Sequence, residues 1–435
     1  MGPREDKEYF MKRIERLVSV VLILTLATSL VSMTGCVVSQ QGSSVAATDL
    51  MSDVTPNRVA GKPADAAFRQ NMADFSFELF ERSIAAEDNS LISPLSVMLA
   101  LSMTANGAKK ETLAQMEELL GGTIPLNELN EYLYAYINGL PSSEDAQLSI
   151  ANSIWFRNDG ETLQVNPDFL QTNADYYGAS IYGAAFDDQT LKDINNWVSL
   201  QTNGMINEII KEIKELSMLY LINAVAFDAQ WQKVYNKENI SEGEFTDIHG
   251  AVQQVDFMFS KESLYLNDGQ ATGFMKPYAD GTYSFVAILP NENVSLNDYI
   301  RSLNGTGFLN MLENAVHTEV RASMPKFEFE YEKTMNAVLA QMGMPDAFDP
   351  YAADFSGMAA TQMGNLYISE VLHKTYISVD ELGTRAGAVT SVSINTASAA
   401  LSEPKIVRLD RPFVFAIVDN ATNLPLFIGT VTTIG

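Results

Sequence analysis

Residues 219–231, LYLINAVAFDAQW, narrow the possible folds more than any other stretch of the chain. A strand with one wet face alternates apolar and polar residues, whereas a run apolar at nearly every position suits a strand covered on both faces. Other layers must therefore pack on each side of its sheet. Before this run the spacing is mostly helical. AAFRQNMADFSFELFERS places Phe68, Met72, Phe75 and Leu79 on one helix face. In NSLISPLSVMLALSMTANGA, Ser93 is placed to cap a helix whose first residue is Pro94. Asn106 and Gly107 would close it, the glycine in the left-handed conformation. ANSIWF reads as a short buried strand, and INNWVSLQTNGMI as a helix stopping at Asn203-Gly204. After the run, strands dominate: YSFVAILP, EVRASMPKFEFEYE and the closing hairpin RPFVFAIV-DNATNL-PLFIGTV. In VLHKTYISVD, period-two alternation sets Val371, His373, Thr375, Ile377 and Val379 on one face. The pattern predicts an α+β protein around large mixed or antiparallel sheets.

The first residues carry an address. Basic MKRIERL precedes the apolar VSVVLILTLATSLVSM and then TGC, the order of an export signal. MTGC resembles the lipobox of bacterial lipoproteins, which implies a signal peptide over residues 1–35, cleavage, and a lipid on the Cys36 thiol. Cys36 is the single cysteine, so it has no intramolecular disulfide partner and suits a thioether to lipid. An uncleaved membrane anchor would keep the address and change only the attachment. Residues 36–65 are polar, small and aperiodic, and read as a flexible tether. The remainder, 66–435, shows neither a repeat nor a second linker and reads as one domain at the outer surface of a bacterial cell.

A formal charge of −26 argues against nucleic acid, whose phosphates need a basic footprint. With three histidines, no GxSxG elbow, no HExxH and no paired cysteines, the chain offers no catalytic or metal pattern, and no phosphate-cradling glycine loop implies a cofactor. No enzymatic activity is expected.

The segment VDELGTRAGAVTSVSINTASAALSEP stands apart, since no charge lies between Ala386 and Ser402 in a chain with 54 acids. Alternate residues Thr384, Ala386, Ala388, Thr390, Val392, Ile394 and Thr396 are all uncharged, and the only charge of the other set is Arg385. One face suits burial in a sheet while the other meets solvent. Composition alone favours a plain Ser/Thr/Ala linker.

From about Ala66 to Gly435 the chain resembles the serpins, the serine protease inhibitor family. The resemblance rests on NSLISPLSVMLALSMTANGA, INNWVSLQTNGMI, MPKFEFEY, MGMPDAFDPYAADFSGM, LYISEVLHKTYISVDELGT and VRLDRPFVFAI, which follow one another in the family's order. It implies three sheets, eight or nine helices and an exposed reactive-centre loop from about Gly383 to Ser402, with its hinge at Glu381-Leu382-Gly383-Thr384. In that family the loop is bait: a protease acylates itself on it, and the cut loop enters the central sheet before water releases the enzyme. A charge on the entering face would cost several kcal/mol, by order of magnitude, and delay that step. Ser93, Ser96, Asn223 and His373 match the family's polar cluster beneath the sheet, and Trp231 the tryptophan where entry begins. Family members usually carry Glu at Arg385, Lys at Asp228 and Gly at Ala229. Leu382, Gly387 and Val389 also depart from the pattern. No departure puts a charge or a proline on the entering face.

Family spacing, fourteen residues beyond Gly383, sets the reactive bond at Ala397–Ser398. A small residue there points to elastase-like serine proteases rather than enzymes with an acidic pocket floor. The stretch from Ser398 to Pro412 is longer than family members usually have, which leaves Leu401–Ser402 as the alternative bond. The expected acting form is a monomer. A carrier or binding role without inhibition, and an adhesive role as a plain surface lipoprotein, are the competing readings.

Overall fold

The computed structural model describes residues 46–434 except 86, 142, 144, 159–162, 363 and 385–402. The described strands in chain order begin with β1 (Thr48–Asp49), β2 (Ser90–Ile92), β3 (Ala146–Arg157), β4 (Gln164–Val165), β5 (Ser180–Ala184) and β6 (Leu219–Gln230). Next come β7 (Ile240–Thr246), β8 (Val252–Asn267), β9 (Ala271–Pro277), β10 (Tyr283–Pro290), β11 (Val316–Pro325) and β12 (Phe327–Thr334). The last are β13 (Ala359–Ala360), β14 (Glu370–Val379), β15 (Gly383–Thr384), β16 (Lys405–Arg408), β17 (Phe413–Asp419) and β18 (Pro425–Val431). The helices are α1 (Ala66–Ser83), α2 (Pro94–Ala105), α3 (Lys110–Gly121), α4 (Leu126–Gly139), α5 (Pro167–Tyr177), α6 (Asp188–Gln201), α7 (Leu296–Ser302), α8 (Gly305–Glu313) and α9 (Asn336–Gln341).

Three sheets organise them. The central one has seven strands in the order β1-β5-β3-β6-β15-β14-β12. A larger sheet runs β16-β11-β8-β9-β10-β17-β18-β2, with β7 on β8, and β4 pairs β13 separately. The expected α+β class and sheet count hold. As its sequence required, β6 is buried over almost its whole length; only Asp228 and Gln230 are part-exposed. ANSIWF belongs to a longer strand than expected, twelve residues, because β3 pairs with β6 from Ala146 to Phe156.

Helix α2 is buried at all twelve positions, as a helix apolar all round must be. It packs between β3 and β6 on one side and β18 on the other. Its ends differ from expectation. Ser93 does occupy the N-cap position ahead of Pro94, but its side chain makes no capping bond. Gly107 is not among the left-handed glycines. It is required by close approach instead, since a Cβ there would lie 2.0 Å from Met358 Cγ. On the opposite face of the central sheet, α6 starts with a capping box at Asp187 and Thr190 and closes through Asn203 and Gly204, both at positive φ. It covers a second apolar cluster that includes Trp155, Ile194, Trp197, Tyr220, Ile222 and Leu372.

The segment preceding α1 is not a free tether where it is described. Thr48 and Asp49 pair with Gly183 and Tyr182 at the sheet edge, and Ala47 N–H donates to Asp193 Oδ2 at 2.9 Å. Asn57 N–H donates to Asp175 at 2.6 Å, and Lys62 pairs with Glu128. Described residues ahead of Ala66, from Ala47 on, are therefore packed against the rest of the fold. The expected signal, Cys36 and the first part of the tether lie outside the described residues.

Candidate functional site

The site is a seam in the central sheet. Strands β6 and β14 run parallel and pair directly over Tyr220–Val225 and Glu370–Thr375, six residue pairs. At the other end of the seam, β15 stands between them instead. The chain leaves β14 at Val379 and reverses at Asp380, whose Oδ1 accepts from Leu382 N at 2.7 Å and Gly383 N at 3.2 Å. Gly383 then aligns with Gln230, and Thr384 with both Ala229 and Val379, antiparallel to each neighbour. Only glycine fits at 383, because a Cβ would sit 2.0 Å from Ala229 O.

The reversal is held from outside. Trp231 N donates to Leu382 O at 2.8 Å, Tyr235 N to Glu381 O at 2.9 Å, and Trp231 Nε1 to Asp380 O at 2.9 Å. Glu381 pairs with Lys326 at 2.7 Å, which holds its carboxyl below the usual range. The fully buried Thr384 hydroxyl shares a 2.6 Å hydrogen bond with the Tyr278 phenol. Trp231 stacks on that same ring at 4.7 Å.

Midway along the seam lies a buried polar cluster. His373 Nε2 accepts from Ser93 N at 3.2 Å, so that nitrogen carries no proton, and Nδ1 bonds Asn223 Oδ1. Asn223 Nδ2 in turn donates to Ser96 Oγ and to Asn152 Oδ1. The Asn152 amide returns to Ser96 O at 3.2 Å. Burial depresses His373 to a pKa of about 3, so the ring is neutral. This network ties α2 to three adjacent strands through residues 223, 373 and 152, which share one row.

The sequence brings Ser93, Ser96, Asn223, His373 and Trp231 forward, and all five lie at the seam. It passed over Asn152. The signal was available as the one amide in ANSIWF, but its relevance needs the β3–β6 register, which aligns Asn152 with Asn223. Thr384 and the hinge at Glu381 and Gly383 are described. Ala386, Ala388, Thr390, Val392, Ile394, Thr396 and both candidate bonds, Ala397–Ser398 and Leu401–Ser402, lie outside the described residues.

The two faces of the seam differ. On one, Leu221, Val225, Phe227 and Ala229 of β6 and Val371, Ile377 and Val379 of β14 join the main core. On the other, Tyr220, Ile222, Ala224 and Leu372 lie beneath α6. The expected solvent face therefore exists only near the hinge, because α6 covers the rest. The segment following α6 also straddles the seam. Lys214 pairs with Glu370 of β14, and Lys211 with Glu332 of β12 at 3.8 Å.

The family model described as Serpin (serine protease inhibitor) matches residues 70–434. Leukocyte elastase inhibitor of Xenopus laevis is 32% identical over 375 residues, 82% of this chain and 96% of the relative. The solved structure of the thermophilic serpin tengpin in its native state is 56% identical, covers 89% of this chain and 100% of that one, and has a TM-score of 0.86. Tengpin in its latent state, also 56% identical, covers 86% and 100% and scores 0.77. A loop C-sheet serpin polymer is 52% identical, covers 88% and 100%, and scores 0.76. With a hinge already seated in its central sheet and a family match over nearly all the described residues, this chain belongs to the serpin family of serine protease inhibitors.

Proposed function

We propose that this protein is a suicide-substrate inhibitor of elastase-like serine proteases, acting as a monomer, and that residues 385 onward enter the β6–β14 seam after cleavage. The observation that carries this reading is the antiparallel placement of Gly383 and Thr384 between the two strands. Continued along β6, that register sets Ala388 beside Val225; continued along β14, it sets Ala388 beside Thr375. Val225 and Thr375 are themselves paired, so the two extrapolations meet in one row. Thr390 then falls in the row of Asn223 and His373, and Val392 in that of Leu221 and Val371. The uncharged alternate set thus lands on the core face. Arg385 falls beside Asp228, so two separate departures from the family pattern become one opposite-charge pair. Six parallel pairs would be replaced by antiparallel ladders on both sides, which are somewhat stronger per residue.

The protease serine Oγ would attack the Ala397 carbonyl carbon and the bond to the Ser398 nitrogen would break, the leaving amine taking a proton from the protease histidine. The ester joining the enzyme to Ala397 then travels with the inserting strand. Elastase is the enzyme to test. Mixing it with a chain starting at residue 46 should give a complex that survives denaturing electrophoresis and release a peptide beginning at Ser398. A peptide beginning at Ser402 keeps the mechanism and assigns the bond to Leu401. Cleavage without a complex would overturn inhibition in favour of a carrier or binding serpin.

We further propose that Cys36 carries a lipid that holds the inhibitor at the outer surface of a bacterial membrane. The support is the MTGC motif after an apolar run. Cys36→Ala should move the full chain from the membrane fraction to the soluble one, and unchanged retention would overturn the anchor.

A further inference from the structure

A cavity of about 650 Å3 opens beside the hinge, between the larger sheet and the segment after β6. Its lining includes Lys233, Lys261, Lys276, Arg321 and Arg408 against one acid, Glu262. Five cations to one anion is a strong local reversal in a chain of net charge −26. Lys276 is buried to 1% exposure and donates to Glu262 at 3.1 Å and to Lys233 O at 3.1 Å. Its ammonium also lies over the rings of Tyr235 and Trp231, at 4.3 and 5.3 Å. That lysine and Glu262 neutralise one another, which leaves four cations at the rim.

Among the described residues, three of the rim cations have only long, exposed ion pairs. Lys261 and Arg321 share Glu319 at 3.5 and 3.4 Å, and Arg408 meets Asp410 at 3.5 Å. Exposed pairs of this kind contribute little and exchange readily for another anion. Apolar surface is present alongside: Phe259 and Ile406, both exposed, and Val234 line the same cavity. The volume falls within the usual range for small-molecule sites.

We propose that this cavity binds an amphipathic organic anion, its apolar body against Phe259, Val234 and Ile406 and its acidic head among Lys233, Lys261, Arg321 and Arg408. The site adjoins both ends of the reactive loop. Tyr235, in its wall, holds Glu381 O through its backbone N–H, and Ile406 and Arg408 belong to β16, the strand that follows the loop. A bound anion joins these two ends and steadies both. The binding itself does not rest on the inhibitory reading, and its test uses no protease.

The probe is 8-anilinonaphthalene-1-sulfonate, with uncharged N-phenyl-1-naphthylamine as the matched control lacking the acid. Fluorescence titration of the chain from residue 46 should show saturable binding of one sulfonate probe per chain and much weaker binding of the neutral one. The pair Arg321→Gln and Arg408→Gln should raise the sulfonate Kd by about tenfold or more, equivalent to about 1.4 kcal/mol. Should that double variant unfold, Lys233→Gln with Lys261→Gln, both at exposed positions, reads the same head-group contact. Bound probe should also slow amide exchange at residues 381–384 and 405–408. Equal affinity for the two probes, or a sulfonate Kd indifferent to these substitutions, would overturn the site. Unchanged exchange at both loop ends would overturn the coupling.

Discussion

Ala388→Glu should convert this inhibitor into an ordinary substrate, cut by the protease but no longer trapping it. The extended register sets residue 388 in the row of Val225 and Thr375, where Val225 is a core residue and Thr375 is fully buried with its hydroxyl bonded to Leu91 O. No basic group belongs to that row. Burying an unpaired carboxylate there costs several kcal/mol or forces it to take up a proton. Each 1.4 kcal/mol slows entry about tenfold, so a cost of about 3 kcal/mol slows it more than about a hundredfold. Deacylation is unaffected and wins. The ratio of complex to cleaved inhibitor on a denaturing gel reads this partition directly.

The neighbouring position makes the test specific for face. By the same extended register, Gly387→Glu falls in the row of Ala226 and Tyr376, on the outward set and near the hinge end, where Tyr376 is part-exposed at the margin of the cluster beneath α6. It should retain more of the complex than Ala388→Glu. Arg385→Glu should lose a smaller part, because like charges would then meet Asp228 across the strands, an effect of about 0.2–1 kcal/mol. Asp228→Lys in the same chain should restore it. Equal loss at 387 and 388 would mean that the loop does not enter in the register set by Gly383 and Thr384.

These rows explain how far the sequence could be read. Alternation marked which loop residues share a face, since period two is a property of the strand alone. It did not reveal what each face meets, because α6 ends at Gln201, well before β6 begins at Leu219, and reaches the seam only through tertiary packing. Alternation alone puts the outward set in solvent, whereas Ile222, Ala224 and Leu372 show cover over much of that face. Arg385 and Asp228 looked like unrelated departures for the same reason: their partnership exists only in a register. Segment 46–65 failed differently. Its polar, aperiodic composition indicates the lack of a helix or long strand but says nothing of single backbone bonds such as Leu50 N to Ile181 O. The sequence singles out Gly107, but from the chain alone a close approach looks the same as a left-handed turn.

Acid should open the seam through His373. The ring is fully buried, Nε2 is committed to accepting from Ser93 N, and Nδ1 to Asn223. Protonating Nε2 would leave two donors facing each other in a site without a counter-charge. The groups of its network, Ser93, Ser96, Asn152 and Asn223, are all neutral, and the residue paired with it on β12 is a cation, Lys333, whose ammonium is held by Ser83 O. With the native pKa near 3 and the ordinary value at 6.5, the unfolded or opened state binds the proton first. The stabilisation is complete above pH 6.5 and is lost as pH falls from there towards 3, at about 1.4 kcal/mol per pH unit. At pH 5 the loss is about 2 kcal/mol, enough to speed opening by as much as about thirtyfold. Between pH 6.5 and 5 most carboxylates stay ionised, so the histidine dominates the slope despite the chain's many acids. Unfolding rates in urea should therefore rise steeply over that interval in the native sequence. His373→Gln, which offers a donor and an acceptor but does not titrate, should start less stable and stay nearly flat. Parallel slopes for the two proteins would assign the acid sensitivity to carboxylates and leave His373 a structural residue alone.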